Sequence, residues 1–353
     1  MSTIASIEKI NKITPPFCHG GMPVAHILGW QVLLQNDKFK PGDMCIFVRR
    51  GTVLPANNQF EFIRPYTIPI PEENGYLITN LQYMGDLSQG LALPLSILSC
   101  ENTEFLHRKA NINKLLGLKS YTSYNPFNNY PVRNINSRNL LHTAKAELQE
   151  KPTLYKALQD KSYYIATKPD GIEITFYYIG HNFGICGATG DYVFCSDNPL
   201  WQFVQKKKIV QKLAGFRTNI AISGYFCGPD AGTNTMNLRD NNFYISSILE
   251  TDTMKYYDLV HMLKAALQIK LPPVHIEESG SSFGYTIKEI IKKSQGRYTC
   301  GNYKKGIIVS ESNAYIHQGT TEPLCFELLN DDYLLEEAHR IRYLYDNMAS
   351  FRH

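Results

Sequence analysis

Residues 167–178 read TKPDGIEITFYY, with Lys168 two residues before Asp170-Gly171. A lysine amine becomes a nucleophile when burial or neighbouring cations and metals strip its proton. The same stretch has a plainer reading. Pro169 fixes the backbone ahead of Asp-Gly, a common turn signal, and IEITFYY is an ordinary strand. Local chemistry alone does not choose between the two. Two lysine clusters are the other reactive feature. QKKKIVQK (205–212) carries Lys206, Lys207 and Lys208. KEIIKKSQGRYTCGNYKKG (288–306) carries Lys292, Lys293 and Arg297, with Tyr298 and Tyr303 interleaved. Mixed basic and aromatic surface suits single-stranded RNA, because phosphates meet charge while unpaired bases stack on rings. For KEIIKK alone a solvated helix face is the simpler explanation.

The elements around these residues form two domains. The 353 residues, 43% of them hydrophobic, are enough for two cores. Residues 1–110 look all-β. A strand-like run spans 22–35, another covers Met44–Val48 after a Pro-Gly-Asp turn, and a third spans 75–85. Short strands between turn signals point to a small barrel. Residues 111–140 are rich in Asn, Ser and Pro and read as a linker. A helix is expected over 137–150, with Ser137 as N-cap and Leu140, Leu141, Ala144 and Leu148 on one face. Helix continues at 152–160. Strands are then expected at 163–167, 172–179, 182–186, 191–194, 220–227 and 242–248, helices at 252–269 and 286–296, strands at 305–310 and 324–330, and a charged helix near 333–346. The second domain, 141–353, is therefore α+β.

Composition excludes several classes. The net charge of +4 permits a polyanionic partner without demanding one. The eight cysteines are scattered, with no Cys-x-x-Cys pair and no zinc spacing, so no metal site is expected. Such usage suits the cytoplasm or another reducing intracellular compartment. The start MSTIASIEKINKI lacks the apolar core of a signal peptide, and no run is long enough to span a membrane.

Several motifs fall in one order along nearly the whole chain. They are Gly29-Trp30, Phe39-Lys40, Gly42-Asp43 and Ser88-Gln89-Gly90-Leu91 near the start, then LLGLKSYTS (115–123) and YPVRNINSRNLL (130–141). Together they resemble the ATP-dependent RNA ligases that carry an N-terminal OB-like domain. The resemblance implies an α+β fold: a small OB-like β-barrel, then an ATP-grasp-like nucleotidyltransferase domain of antiparallel sheets with flanking helices. In that superfamily the lysine of K-x-D-G attacks ATP and carries AMP to an RNA 5′-phosphate. Lys168, Asp170 and Gly171 match that motif, with Thr167 where a Glu is frequent. NNFYISSI (241–248) supplies Phe243 or Tyr244 as the base-stacking ring.

The remaining motif positions depart from the family. Ala188 stands where the family has Arg, and Glu327 replaces a phosphate-binding lysine. Tyr225 replaces the ribose-binding acid, and Lys305 replaces the metal-binding acid. Magnesium needs hard oxygen ligands, and phosphoryl transfer depends on charge neutralisation. The expectation is thus a pseudoenzyme that binds RNA, including 5′ ends by analogy with capping enzymes, with no cofactor. Tyr225 fills part of the nucleotide space, and Glu327 pairs either with Lys305 or with Lys168. Two alternatives remain open. One is an active, divergent RNA ligase that forms a lysyl-AMP at Lys168 with ATP and Mg. The other is a scaffold subunit bound to protein partners.

Overall fold

The computed structural model describes residues 4–35, 39–98, 112–121, 125–133, 140, 147–149, 152–313 and 324–350, with side chains to 347. The chain forms two compact units. The first comprises Met1–Ser123 with Asp331–His353, and the second Tyr124–Asn330.

The first unit is built of short strands: β1 (Ala5–Lys9), β2 (Lys12–Thr14), β3 (Val24–Ile27), β4 (Trp30–Leu33), β5 (Met44–Arg49), β6 (Thr52–Pro55), β7 (Ile68–Ile70), β8 (Gly75–Leu77), β9 (Leu81–Tyr83), β10 (Asp86–Ser88), β11 (Gly90–Leu93) and β12 (Lys119–Ser120). They pair in the orders β1-β5-β11, β2-β3-β4, β12-β6-β8-β7 and β10-β9. Strand β5 explains why MCIFV reads as unbroken apolar sequence. Ile46 and Val48 join one core with Ala5, Ile7, Leu91 and Leu93, while Cys45 and Phe47 join another with Trp30 and Val32. A strand buried on both faces loses the polar half of its alternation.

Three expectations for this unit are corrected. Residues 22–35 are a hairpin rather than one strand, because Leu28 (φ 52°) and Gly29 (φ 87°) both take the left-handed conformation of a two-residue hairpin turn. The stretch 111–140 is not all linker. Ile112, Leu116 and Leu118 are buried in the first unit, and Phe127 in the second. The last helix, Asp331–Ser350, belongs to the first unit rather than to a 141–353 domain. Its Ala338, Ile341 and Tyr345 pack on Val53, Ile68, Ile70 and Leu77. Its first residue, Asp331, accepts hydrogen bonds from Asn80 (3.0 Å) and Gln89 (2.8 Å). Most of the helix expected at 137–150 lies outside the described residues.

The second unit has helices on two antiparallel sheets. Its strands are β13 (Val132–Arg133), β14 (Tyr163–Thr167), β15 (Ile172–Ile179), β16 (Asn182–Gly187), β17 (Gly190–Tyr192), β18 (Ile220–Cys227), β19 (Asn242–Glu250), β20 (Lys255–Tyr256), β21 (Ile276–Gly280), β22 (Gly306–Glu311) and β23 (Cys325–Leu329). Its helices are α1 (Pro152–Leu158), α2 (Pro199–Lys207), α3 (Ile209–Ala214), α4 (Leu259–Ile269) and α5 (Ile287–Ser294). One sheet has seven strands, β13-β17-β16-β15-β18-β19-β20, and the other four, β21-β14-β22-β23. Helix α4 starts later than the expected 252, because 255–256 pairs with β19 and Asp258 caps the helix at His261 N. Helices α2 and α3 were absent from the sequence reading.

Period-two alternation sorts each strand between layers. On the seven-stranded sheet, Ile174, Phe176, Phe226, Phe243 and Ile245 face α2, α3 and α4. On the four-stranded sheet, Tyr163, Ile165, Ile307, Val309 and Phe326 face α1 and α5. The opposite faces meet each other through Tyr164, Ala166, Tyr225, Cys227, Ile308 and Cys325. The order is helices, sheet, sheet, helices. At the entry to β22, Gly306 has φ 146°, and a Cβ there would lie 2.1 Å from the Leu328 carbonyl oxygen. Gly306→Ala is expected to cost about 2–4 kcal/mol, read from the urea unfolding midpoint. A loss under about 1 kcal/mol would show that this strand entry yields.

Candidate functional site

The inner layer between the sheets ends at Lys168. Tyr164 and Ala166 of β14 face inward, and the same parity carries Lys168 inward just past the strand, 7% exposed. Its backbone is fixed on both sides. The Lys168 N–H donates to the Gly306 carbonyl (2.9 Å), and the Tyr298 hydroxyl donates to the Lys168 carbonyl (2.7 Å). The Lys305 N–H donates to the same Tyr298 oxygen (3.0 Å). Gly171 is required here, since a Cβ would meet Cys227 Sγ and the Phe226 carbonyl oxygen at 2.4 Å.

On β23, Cys325 and Glu327 face inward, and the Glu327 carboxylate lies 2.6 Å from Lys168 Nζ. The side chains of this pair are 9% and 15% exposed. Lys168 also donates weakly to the Tyr225 hydroxyl (3.4 Å), with its ammonium 5.0 Å from the ring centroid. Tyr225, 1% exposed, hydrogen-bonds onward to Glu173, its direct partner across β15 and β18. Burial first, then the carboxylates of Glu173 and Glu327, holds this phenol far above its ordinary range. The result is a connected run from Glu327 through Lys168 and Tyr225 to Glu173. Of the two partners weighed for Glu327, the structure selects Lys168.

Lys305 instead meets Asp170, at 3.2 Å. Asp170 also accepts from the hydroxyls of Thr235 (2.6 Å) and Thr233 (2.7 Å). Burial alone would raise its carboxyl, but Lys305 and these hydroxyls outweigh it and hold the group well below the usual carboxylate range. Lys304, 6% exposed, pairs with Glu277 (2.7 Å), which also accepts from Thr167 (2.6 Å). The three lysines Lys168, Lys304 and Lys305 thus each have a carboxylate. Asp170 thus holds Lys305 and the Thr233–Thr235 loop.

The other expected site residues divide. Phe243 lies wholly in the outer core, 4.6 Å from Phe176, so it cannot be the stacking ring. Tyr244, the next residue, packs against the inner layer. Ala188 sits exposed in the turn between β16 and β17. Lys206 and Lys208 are exposed at the end of α2, while Lys207 lies 6.0 Å from the Phe203 ring. Lys292 is exposed on α5, Lys293 pairs with Glu278 (2.7 Å), and Arg297 stacks on Tyr303 (3.8 Å). The two clusters do not form one surface, because α2 and α5 cover opposite sheets. The sequence reading missed Glu173, Glu277, Lys304, Thr233 and Thr235. Only Glu173 had a signal, since it stands two residues from Thr175 on the inward parity of β15.

These residues do not fit ATP and a divalent ion. The positions expected to be acids hold a buried phenol and an ion-paired ammonium, and a carboxylate binds the nucleophile position. Among the described residues, no cluster of three His, Cys, Asp or Glu is placed to hold a metal. No described helix is long and apolar enough to cross a membrane.

Two predictions follow from the charges. Glu327→Ala leaves a buried ammonium without its partner and is expected to cost about 3 kcal/mol by urea denaturation. Adding Lys168→Met should recover part of that loss, and a further loss would contradict the pairing. The second concerns acid. Asp170 is depressed, and Glu278 is lowered to about 2, where burial acts against Lys293, Tyr163 and Tyr285. A depressed carboxyl stabilises above its unfolded value and loses that contribution as pH falls towards its folded value. The unfolding midpoint should therefore fall below about pH 4.5 and keep falling towards pH 2, less steeply in Glu278→Gln.

The comparisons with known proteins agree with this fold. A family of OB-fold domains matches residues 4–95. No curated protein sequence matches the chain. Solved structures match at nearly full length. A Naegleria gruberi RNA ligase, a glutamate-to-alanine mutant with ATP and Mn, superposes with a TM-score of 0.82 at 18% identity, covering 95% of this chain and 99% of that one. The same ligase with pyrophosphate gives 0.82 at 18% identity, with the same coverage. A lysine-to-methionine mutant with AMP and Mn gives 0.82 at 17% identity, covering 95% and 98%. The chain therefore shares the fold of these RNA ligase structures, with an OB-fold domain at its N-terminal end.

Proposed function

We propose that this chain is a catalytically degenerate RNA-ligase-like protein that binds RNA, including 5′ ends, through the ligase scaffold. The observation that carries this reading is the 2.6 Å pair between Lys168 and Glu327. A lysine attacks phosphorus only with a free lone pair, and an ammonium clamped by a carboxylate has none. Glu327 also places negative charge where the ligase fold would receive phosphates, and Tyr225 fills inner-layer space. Asp170 and Lys305 neutralise each other beside them. The ligase fold and the exposed Lys206, Lys208, Lys292 and Arg297 support RNA as the partner. A reducing intracellular compartment suits the described cysteines, among which there is no disulfide.

Fluorescence anisotropy with a short single-stranded RNA, carrying a 5′-phosphate or a 5′-hydroxyl, tests this directly. Affinity should fall with salt by a log–log slope of about 0.7 per phosphate contacted. Titration calorimetry with ATP and magnesium should give no binding heat. RNA affinity that is absent or indifferent to salt contradicts the binding reading, and tight ATP binding contradicts the degenerate pocket.

A further inference from the structure

A line of aromatic rings leads from the outer core of the second unit to solvent. Phe176, wholly buried, stacks with Phe183 (centroids 6.3 Å) and with Phe203 (6.4 Å). Phe183 meets Trp201 edge-on at 5.8 Å, and Trp201 meets Phe194 at 5.3 Å. Phe183 and Trp201 are partly buried, and Phe194 is 58% exposed. A single exposed Phe needs no explanation. This one ends a contiguous ring cluster, and its setting is braced.

The Trp201 indole N–H donates to the Val193 carbonyl (2.9 Å), and the Val193 N–H donates to the Pro131 carbonyl (3.0 Å). Asn198, fully buried, caps α2 at Leu200 N (2.9 Å) and donates its own N–H to the Cys195 carbonyl (3.1 Å). Gln202 donates to the Ser196 carbonyl (2.9 Å), and Tyr130 to that of Asp197 (3.1 Å). The turn that displays Phe194 is therefore fixed before anything touches it. A preorganised ring costs little further entropy on contact, which is what a stacking surface requires.

The other end of α2 supplies charge. Trp201 lies in its first turn and Lys207 is its last residue, about 9 Å along the axis at 1.5 Å per residue. Lys208, exposed, turns the chain into α3 with φ 54°. Lys212 is lowered first by its burial and then by Lys207 and Lys270, so positive charge accumulates here. Lysines at a helix C-terminus also favour the helix dipole, which accounts for the charges alone but not for the exposed ring beside them.

We propose that the Phe194–Trp201 ring pair and the lysines at the end of α2 form a stacking platform for single-stranded RNA, on the helix-bearing face of the seven-stranded sheet and separate from the Lys168 pocket. This rests on the RNA-binding reading above. Charge complementarity selects the occupant: a strand with a base on Phe194 brings its backbone phosphates past Lys207 and Lys208. Sequence discrimination is not expected, because every base presents a π-face.

The test uses the full chain, a short fluorescein-labelled single-stranded RNA and the matching duplex. Phe194→Ala, at an exposed position, should keep the wild-type unfolding midpoint and weaken single-strand binding about tenfold with an unchanged salt slope. Lys208→Ala should reduce the salt slope by about 0.7. Duplex affinity should not respond to Phe194→Ala, since paired bases offer no face to stack on. If the wild type binds single strands and Phe194→Ala binds equally well, the platform is wrong while the RNA-binding reading stands. If the wild type binds no RNA, both fail. Self-association that depends on Phe194, seen by analytical ultracentrifugation, would make this face a protein interface and overturn the proposal.

Discussion

An ammonium and a carboxylate 2.6 Å apart, nearly closed off between two sheets, set the character of this protein. Burying one charge alone would cost several kcal/mol, so each requires the other. The pair joins the end of β14 to β23, with β22 between them entered through Lys305 and Gly306. It therefore ties the strands of the smaller sheet to the Tyr225 side of the larger one. The neighbouring pairs, Lys305 with Asp170 and Lys304 with Glu277, repeat the arrangement, and the site is self-neutralised. A pocket meant to receive a polyphosphate would present uncompensated positive charge and carboxylates free for a metal. Here those charges are satisfied internally.

Much of the fold was legible in the sequence, for identifiable reasons. Strands β14, β15, β16, β18 and β22 appeared almost at their observed bounds, because β-branched and aromatic runs stand between Gly, Pro and Asp signals. The failures were also physical. The Leu28-Gly29 turn lacks the usual Asn-Gly signal, so a hairpin read as one strand. Helices α2 and α3 are short and meet at a lysine in the left-handed conformation, which breaks the apolar period. Residues 112–118 open an Asn-, Ser- and Pro-rich stretch, yet Ile112, Leu116 and Leu118 at irregular spacing anchor them in the first core. The final helix gave its period but not its place. Its docking is decided by Asn80, Gln89 and a patch around Ile68, far away in sequence.

The site was legible at its centre and dark at its edges. Lys168, Tyr225, Lys305 and Glu327 could be singled out, since each sits within a motif whose glycines and apolar residues are kept. Which carboxylate meets which lysine could not be read, because that depends on the parity of four strands at once. Strand parity turns Phe243 to the outer core and Tyr244 to the inner layer, and it places Glu173 beside Tyr225. The supporting residues Thr233, Thr235, Tyr298 and Lys304 come from loops that carry no periodic signal. The lysine clusters show the limit of composition. Both are basic and near aromatics, yet they cover opposite faces, and the one ending α2 lies on the helix whose first turn carries Trp201, packed on the exposed Phe194.

The central claim is that Lys168 is held as a structural ammonium rather than used as a nucleophile. It is tested most directly by incubating the protein with radiolabelled ATP and either magnesium or manganese, then resolving it under denaturing conditions. The account predicts no protein-bound label, in the wild type and in Lys168→Ala alike. A stable protein–AMP adduct in the wild type that disappears in Lys168→Ala would contradict it.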